Sequence, residues 1–342
     1  MKVAVLMSGG VDSTIVALLL KEQGYNIMGL TMINWDKEVG YKAQKVAAKL
    51  GIEHQIVDLS RQFSDNVVDY FCKKYKEGHT PNPCVECNRN IKFGELLNIA
   101  KNYGCDKVAT GHYAQIEYDE KKKRYLLKKG VDTKKDQSYF LYALKQNQLS
   151  NIMFPLGDLT KEQVKQLAID YNFSEVANSA ESQEVCFITG DYRDFLSTRI
   201  NQKSGKIIDT AGKLLGNHKG LGYYTIGQRK GLGISAGRPL YVIDLDIERN
   251  QLIVGDEHEL YKNKLTSTNN NFIAMNELND ELRVKAKVRY RAKESEANII
   301  PKPDKTIEVQ FVKPQRAITP GQAVVFYDGD YVVGGGEIAR EL

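Results

Sequence analysis

The sequence predicts an α/β fold: a doubly wound, mostly parallel sheet, followed by a small central α+β domain and a C-terminal β-barrel. Three observations support this. Between residues 2 and 59, strand-like and helix-like runs alternate as they do in βαβ units. From residue 205 onward glycines become frequent and long helical patterns disappear. From residue 282 onward, short alternating runs follow one another at the spacing of a small barrel.

The chain is long enough for several domains, because 342 residues exceed what one compact core usually holds. We expect an α/β domain at 1–200, a central linker domain at 201–264 and a barrel domain at 265–342. The predicted strands cover 2–7, 26–32, 54–59, 108–110, 241–247, 282–291, 306–312, 323–327 and 331–334, and the predicted helices cover 13–22, 42–50, 92–103 and 161–171.

Composition constrains the cellular location of the protein, the role of its cysteines and the charge of its partners. No apolar run approaches the ~18 residues of a membrane span, and the start has too short an apolar stretch for a signal peptide, so we expect a cytoplasmic protein with no membrane association. The five cysteines are Cys72, Cys84, Cys87, Cys105 and Cys186. This odd set favours catalysis or metal binding over structural disulfides, although Cys72 and Cys105 are expected to be core residues. The net charge of +5 permits a polyanionic partner without requiring one.

The loop Met7-Ser8-Gly9-Gly10-Val11-Asp12-Ser13 follows an apolar strand and opens a helix. Such a loop directs free backbone N–H groups and a positive helix end at one small concavity, which suits a phosphate chain. The serine hydroxyls can donate to the phosphates, and Asp12 can hold Mg²⁺ or orient the loop. The sequence therefore predicts a nucleotide site at the carboxyl ends of the strands, where positions 31–32 and 111–112 also converge. A tight strand-to-helix turn without a ligand is the alternative.

Further motifs make the nucleotide site more specific. They are Thr80-Pro81-Asn82-Pro83, Ala109-Thr110-Gly111-His112-Tyr113, Lys135-Asp136-Gln137-Ser138, Cys186-Phe187-Ile188 and Thr225-Ile226-Gly227-Gln228. Together with the glycine loop, they resemble the tRNA-specific 2-thiouridylases of the ATP pyrophosphatase, or PP-loop, superfamily, whose catalytic domain is HUP-like. The similarity extends to Thr319-Pro320-Gly321-Gln322 near the end of the chain.

The resemblance implies an ATP-dependent tRNA sulfurtransferase. ATP would adenylate the C2 oxygen of the wobble uridine, and sulfur would displace AMP, giving 2-thiouridine, AMP and pyrophosphate. The implied ATP contacts are the loop at 7–13 with Leu6, Met32 and Gly111. ATP and Mg²⁺ are therefore the expected cofactors.

Cys87 is the candidate nucleophile. It ends the segment Cys84-Val85-Glu86-Cys87, and a helix that begins near Asn88 would point its positive end at the sulfur, so we expect this thiol to ionise readily. A single CxxC is also compatible with a redox pair, a zinc half-site, a cluster or a structural role. The resemblance implies that Cys87 attacks, that Cys186 carries a persulfide, and that the two can form a disulfide during turnover.

Cys84 departs from the family pattern, in which an aspartate usually stands at this position. Three cysteines suit a [4Fe-4S] cluster with one iron left open to hold a hydrosulfide. We therefore favour a cluster on Cys84, Cys87 and Cys186 over a persulfide and disulfide route. Zinc is a weaker candidate, because a structural zinc usually has a fourth protein ligand and His79 is the one histidine nearby.

Contacts with tRNA are implied at both ends of the chain. By resemblance they are made by Asn82, Pro83, His112, Lys135, Asp136, Gln137, Arg289, Tyr290 and Gln322. We expect Gln137 to read the edge of an extruded uracil that Asn82 holds from the other side. A helix cap is the alternative role for 135–137. His112 is expected to contact RNA or phosphate and not to act as a base.

A basic run at 283–291 is the best sign of nucleic acid that needs no resemblance. In a strand, alternate side chains share a face, so one face would carry Arg283, Lys285, Lys287, Arg289 and Arg291 while Val284, Ala286, Val288 and Tyr290 pack on the other. With no acid among the cations, phosphate binding is favoured over a solvated face. The basic loop at 228–231 is expected to contact the same backbone.

The expected partners are tRNAs that read lysine, glutamate and glutamine codons, and a sulfur donor: a cysteine desulfurase, a relay protein or free sulfide. Two other functions are alternatives to a tRNA sulfurtransferase. A small-molecule amidating ligase with the same ATP loop has no use for Cys87 and Cys186. An RNA-binding protein without activity would not need the intact loop and both cysteines.

Overall fold

The computed structural model describes residues 1–35, 38–177 and 185–341. Its first seven strands are β1 (Lys2–Leu6), β2 (Asn26–Ile33), β3 (Glu53–Asp58), β4 (Lys107–Ala109), β5 (Ala114–Asp119), β6 (Arg124–Lys129) and β7 (Ile152–Met153). Five of them form a parallel sheet in the order β3-β2-β1-β4-β7. The doubly wound parallel sheet is thus confirmed.

Helices cover both faces of this sheet. They are α1 (Val11–Glu22), α2 (Glu38–Leu50), α3 (Ser60–Phe63), α4 (Asp69–Lys76), α5 (Pro83–Glu86), α6 (Leu96–Asn102), α7 (Gln146–Leu149), α8 (Lys161–Asp170), α9 (Ser174–Ala177) and α10 (Tyr192–Ser197). The π-helical segment Ser64–Val68 joins α3 to α4, and the π-helical segment Cys87–Glu95 joins α5 to α6, so two long continuous helices result.

The centre of the sheet is strand β1, whose residues alternate between two cores. Val3 and Val5 pack with α1, α2 and α8, whereas Ala4 packs on the opposite side with the two π-containing helices. All three residues are fully buried. A strand buried on both faces is typical of a parallel sheet that helices cover on each side.

The rest of the chain is mostly β. The strands β8 (Gly205–Asp209), β9 (Leu214–His218), β10 (Tyr241–Asp246) and β11 (Gln251–Gly255) form a sheet in the order β10-β11-β8-β9. Then come β12 (Tyr261–Phe272), β13 (Leu282–Lys287), β14 (Ser295–Pro301), β15 (Ile307–Arg316), β16 (Ala323–Asp328) and β17 (Tyr331–Ile338). These six close into a barrel through the β12–β17 pairing, which confirms the predicted C-terminal barrel.

One feature of the barrel was not expected from the sequence. The hairpin β5–β6 belongs to the first half of the chain, yet β6 pairs with β17 at Lys128 and Tyr331. Tyr139 reinforces the junction, since its buried hydroxyl donates to the carbonyl of Ala323 at 2.8 Å. The α/β unit and the barrel therefore share one sheet and one core.

No α-helix in the described parts of the chain is long and apolar enough to cross a membrane.

Replacing Tyr139 by phenylalanine tests this junction. The change leaves a buried carbonyl of β16 without its donor, so we expect the free energy of unfolding to fall by about 1–3 kcal/mol in urea titrations. Tyr118→Phe, at a side chain that is 45% exposed, is the matched control and should change little. Equal stability of the two variants would show that the hydroxyl contributes nothing to the junction.

Candidate functional site

The glycine loop lies between β1 and α1. Gly10 caps α1 in an extended conformation and has no side chain to satisfy the first N–H groups of the helix. Gly9 has a φ of +74°, and a Cβ there would lie 2.7 Å from Cβ of Lys42, so only glycine fits against α2. The first turn of α1 therefore presents backbone donors, as the sequence predicted.

A second loop meets the glycine loop from the end of β4. A Cβ at Gly111 would lie 2.8 Å from Cβ of Asp12, so the two loops are in direct contact. From β1 the chain adds β2 and β3 on one side of the sheet, and it then returns to add β4 and β7 on the other side. The strand order therefore reverses between β1 and β4, although all five strands are parallel. Ligands of open parallel sheets bind at such a point, outside the carboxyl ends of the strands. Leu6 and Met32, the other predicted ATP contacts, are half-buried at the ends of β1 and β2.

Asp12 is held by two partners from distant parts of the chain. The ammonium of Lys161 lies 2.7 and 2.8 Å from its carboxylate oxygens, and the hydroxyl of Tyr113 donates to Oδ1 at 2.8 Å. Of the two roles that the sequence left open for Asp12, these contacts favour orienting the loop over holding Mg²⁺.

The three candidate cysteines lie together. Their thiols are close enough to act on one another electrostatically, and Nδ2 of Asn34 donates to Sγ of Cys186 at 3.8 Å. Asn34 directly follows β2, so the sulfur atoms face the same edge of the sheet as the glycine loop. Phe187 fixes this placement, because it is buried against an aromatic cluster of Phe63, Phe71 and Phe195.

The prediction that Cys87 ionises readily is wrong. The helix begins at Pro83 and not near Asn88, so Cys87 lies inside a continuous helix and is 7% exposed. Burial is the largest effect and raises its pKa to about 12; Lys92 opposes this rise, and the thiols of Cys186 and Cys84 add to it within that value. Burial also raises the pKa of Cys84 and of Cys186, but both residues are exposed to solvent.

Lys92 is the cation of the sulfur site. It lies five residues after Cys87 in a π-helical segment, whose i→i+5 hydrogen bonds place such residues on the same side of the helix. In an α-helix, residues with this spacing would point about 140° apart. Lys92 lowers the pKa of all three thiols and of His112. An ammonium in this position can stabilise an anion that forms beside the cysteines.

The cysteines do not form a metal site as they stand. Within residues 1–35, 38–177 and 185–341, no three His, Cys, Asp or Glu side chains are grouped so that they could hold a metal ion. The donor chemistry of three cysteines suits a cluster. Cys72 and Cys105 are buried elsewhere in the core, as expected.

His112 lies inside the protein at the end of β4. Its Nδ1 pairs with Oγ1 of Thr110 at 2.8 Å, and its ring packs against Phe93 and Phe154. Burial holds its pKa well below the usual range, and Lys92 lowers it further. His112 is therefore neutral at pH 7, and any contact it makes with phosphate or RNA is that of an uncharged group.

The predicted tRNA loop at 135–137 is bonded to Tyr113, whose hydroxyl holds Asp12 of the glycine loop. Asp136 is buried, and its carboxylate accepts from N of Gly130 and from N and Oγ of Ser138, whereas the short helix that begins at Ser138 has no side-chain cap. Gln137 exchanges two bonds with the backbone of Tyr113, at 2.9 and 3.0 Å. Lys135 is half-buried beside them.

Gln322 connects the barrel to the loop that carries Asn82. Its Nε2 donates to the carbonyl of Thr80 at 2.8 Å, and N of Thr80 donates to the carbonyl of Pro320 at the same distance. Asn82 is half-buried next to Pro83, which occupies the first turn of α5. The structure thus gives Gln322 an intramolecular role in positioning Asn82.

The basic run differs from the predicted stripe. Strand β13 ends at Lys287, so Arg289 and Arg291 lie beyond it, and Glu296 of β14 pairs with Arg283 at 2.7 Å. An acid therefore does stand among the cations. Arg289 is half-buried and donates to the carbonyls of Arg316 and Ala317 at 2.7 Å.

The apolar half of that run packs as predicted, with one difference. Val284, Ala286 and Val288 are buried, whereas Tyr290 is half-buried and stacks on Phe140 at 4.5 Å between ring centroids.

Comparison with known proteins identifies the chain. Residues 1–190 match the family model of the tRNA methyl transferase HUP domain, 193–256 the tRNA methyl transferase PRC-barrel domain and 262–338 the aminomethyltransferase beta-barrel domain. A tRNA-specific 2-thiouridylase MnmA of Syntrophomonas wolfei is 55% identical over 99% of this chain and 100% of its own length. The chain belongs to the tRNA-specific 2-thiouridylase family. A second such enzyme, from Thermoanaerobacter sp., is 52% identical over 100% of this chain and 98% of its own.

A solved structure of a tRNA thiolase is also similar to part of this chain. The U34-tRNA thiolase NcsA from Methanococcus maripaludis, determined with its [4Fe-4S] cluster, is 21% identical to this 2-thiouridylase family member over 58% of this chain and 64% of its own, with a TM-score of 0.37.

Sequence reasoning missed three residues of the site. Lys161 is 149 residues from Asp12, and no pattern along the chain links the two. Lys92 was missed because its spacing from Cys87 places it on another face of an α-helix. Asn34 could have been found, since a polar residue directly after a buried parallel strand points to the ligand edge.

Alkylation of the iron-free protein tests the burial of Cys87. At pH 7.5 iodoacetamide should label Cys84 and Cys186 before Cys87, because the Cys87 thiol is both buried and neutral at that pH. Peptide mass spectrometry at successive times measures the order, and Cys87→Ser assigns the peptide. Labelling of Cys87 first would restore the prediction of a readily ionised thiol.

Proposed function

We propose that this protein is a tRNA 2-thiouridylase that uses ATP to activate the C2 oxygen of the wobble uridine and replaces that oxygen with sulfur. Membership in the family supports an ATP-dependent tRNA sulfurtransferase. The observation that carries the proposal is the placement of Cys186 beside Asn34, at the same sheet edge as the glycine loop.

The activation step follows from the glycine loop. The backbone donors at the start of α1 would hold the pyrophosphate part of ATP, and Gly111 leaves room for the backbone to approach the nucleotide. Attack of the uridine oxygen on the α-phosphate forms the O2-adenylate and releases pyrophosphate. The N–H groups stabilise the negative charge that builds on the departing phosphates, and Mg²⁺ would accompany them.

The substitution step requires sulfur on the side of the base that faces away from the glycine loop. Sulfur attacks C2 of the adenylated uracil, the C2–O bond breaks, and AMP leaves with the bonding electrons. Cys87 and Cys186 would supply this sulfur, and Lys92 supports an anion there because it acts on both thiols. Asn82 and Gln137 would hold the base between the two halves of the site.

Two routes for the sulfur remain candidates. In one, the outer sulfur of a persulfide on Cys186 bonds to C2 as AMP leaves. The Cys87 thiol then attacks Sγ of Cys186, which breaks the persulfide S–S bond, releases 2-thiouridine and leaves a Cys87–Cys186 disulfide. In the other, Cys84, Cys87 and Cys186 would hold a [4Fe-4S] cluster, which would supply the sulfur as sulfide. As they are placed, the three thiols are not grouped to hold a metal ion.

The tRNA would lie across the barrel and the loop at 135–137. Lys285 and Arg291 are exposed near this surface, and Gln322 and Arg289 hold the loops that present Asn82 and Tyr290. The tRNAs expected are those for lysine, glutamate and glutamine.

Replacing Cys87 by alanine tests the proposed activity. We expect 2-thiouridine formation to fall to background while tRNA binding, measured by filter retention, stays within about twofold, because Cys87 is buried and its removal leaves the RNA surface unchanged. Cys72→Ala, at a buried cysteine outside the site, is the matched control and should keep its activity. Full turnover by Cys87→Ala would refute the assignment.

Anaerobic purification decides between the two sulfur routes. If the cluster is used, the active protein is brown and contains about four iron and four sulfide per chain, and Cys84→Asp loses both. If the persulfide is used, a colourless and iron-free preparation is fully active. Iron and sulfide assays together with the visible spectrum give the answer.

A further inference from the structure

Lys161 begins α8 and is held there firmly. The side chains of Thr160 and Gln163 form a capping box around it, and its own N–H donates to the carboxylate of Asp132 at 2.9 Å. Its side chain therefore leaves from a fixed point in the backbone and crosses to α1.

The pair that Lys161 forms with Asp12 is asymmetric in its burial. The lysine side chain is 7% exposed, whereas that of Asp12 is 35% exposed. The ammonium thus lies in the protein interior, whereas the carboxylate lies nearer the surface, next to the glycine loop. The hydroxyl of Tyr113 also donates to this carboxylate, and the backbone at Gly111 lies against Cβ of Asp12.

An unneutralised Asp12 would oppose nucleotide binding. Its carboxylate lies in the first turn of α1, at the positive helix end that would attract the phosphates. A full negative charge within a few ångströms of a polyphosphate repels it strongly, the more so where protein excludes water. Something in the structure has to cancel this charge.

We propose that Lys161 is a positioning residue of the nucleotide site, which acts through Asp12 by cancelling the charge of that carboxylate and fixing its orientation, so that the loop N–H groups remain available to the pyrophosphate part of ATP. The inference rests on the proposed function, since it assumes that the glycine loop binds ATP. It assigns a role to a residue far from the loop in the sequence.

Binding of Mg-ATP to the full chain in the absence of tRNA, measured by calorimetry, tests this role. Lys161→Met should weaken binding about tenfold or more, because the change leaves Asp12 as an uncompensated charge. The double variant Lys161→Met with Asp12→Asn should bind ATP as well as Asp12→Asn alone, because the charge that Lys161 cancels is then absent. Lys161→Arg should retain most of the affinity.

Two results would overturn the proposal. If the double variant is as weak as Lys161→Met, the lysine acts on the nucleotide itself and not through Asp12. If Lys161→Met binds ATP as the wild type does, the pair has no role in the site. Lys101→Met, at an exposed lysine of α6, controls for loss of a positive charge, and Lys161→Gln replaces Lys161→Met should the latter melt early. Failure of the wild type to bind ATP would instead refute the proposed function.

Discussion

The site depends on the parallel pairing of β1 with β2 on one side and β4 on the other. Val5 is in register with Gly29 and with Ala109, so β1 and β4 end at nearly the same height, while β2 continues beyond the partner of Leu6 to Ile33. Because β1 is buried on both faces, its register cannot slip without exposing one core or the other. This constraint brings the glycine loop, Asn34 and Gly111 to one edge.

The sulfur side of the site follows from a different constraint, the packing of the helix that starts at Pro83. Its proline fixes the first turn, and its π-helical segment directs Cys87 and Lys92 to one side. Burial in this helix keeps Cys87 protonated, so the chemistry depends on what lies next to the thiol and not on the helix end. Two exposed cysteines and one cation provide that environment.

Much of the architecture was predictable because it depends on patterns of apolar and polar residues that are local in the sequence. The alternation of strands and helices predicted the parallel sheet, and the short alternating runs predicted the barrel, both of which the structure confirms. What failed was the interpretation of residues whose partners lie far away in sequence. Arg283 finds Glu296 on the next strand, and Asp12 finds Lys161 across 149 residues. The prediction that Cys87 ionises readily was wrong because the helix begins at Pro83 and not near Asn88. Cys87 therefore lies inside the helix, where it is buried and away from the positive helix end.

The shared sheet of β6 and β17 also limits how the protein can be divided. A fragment that stopped before the barrel would leave the hairpin β5–β6 with an uncovered edge and bare the aromatic core around Tyr139. Open strand edges beside apolar surface recruit other chains. The catalytic half is therefore expected to self-associate when expressed alone, so that truncation is a poor way to isolate its chemistry.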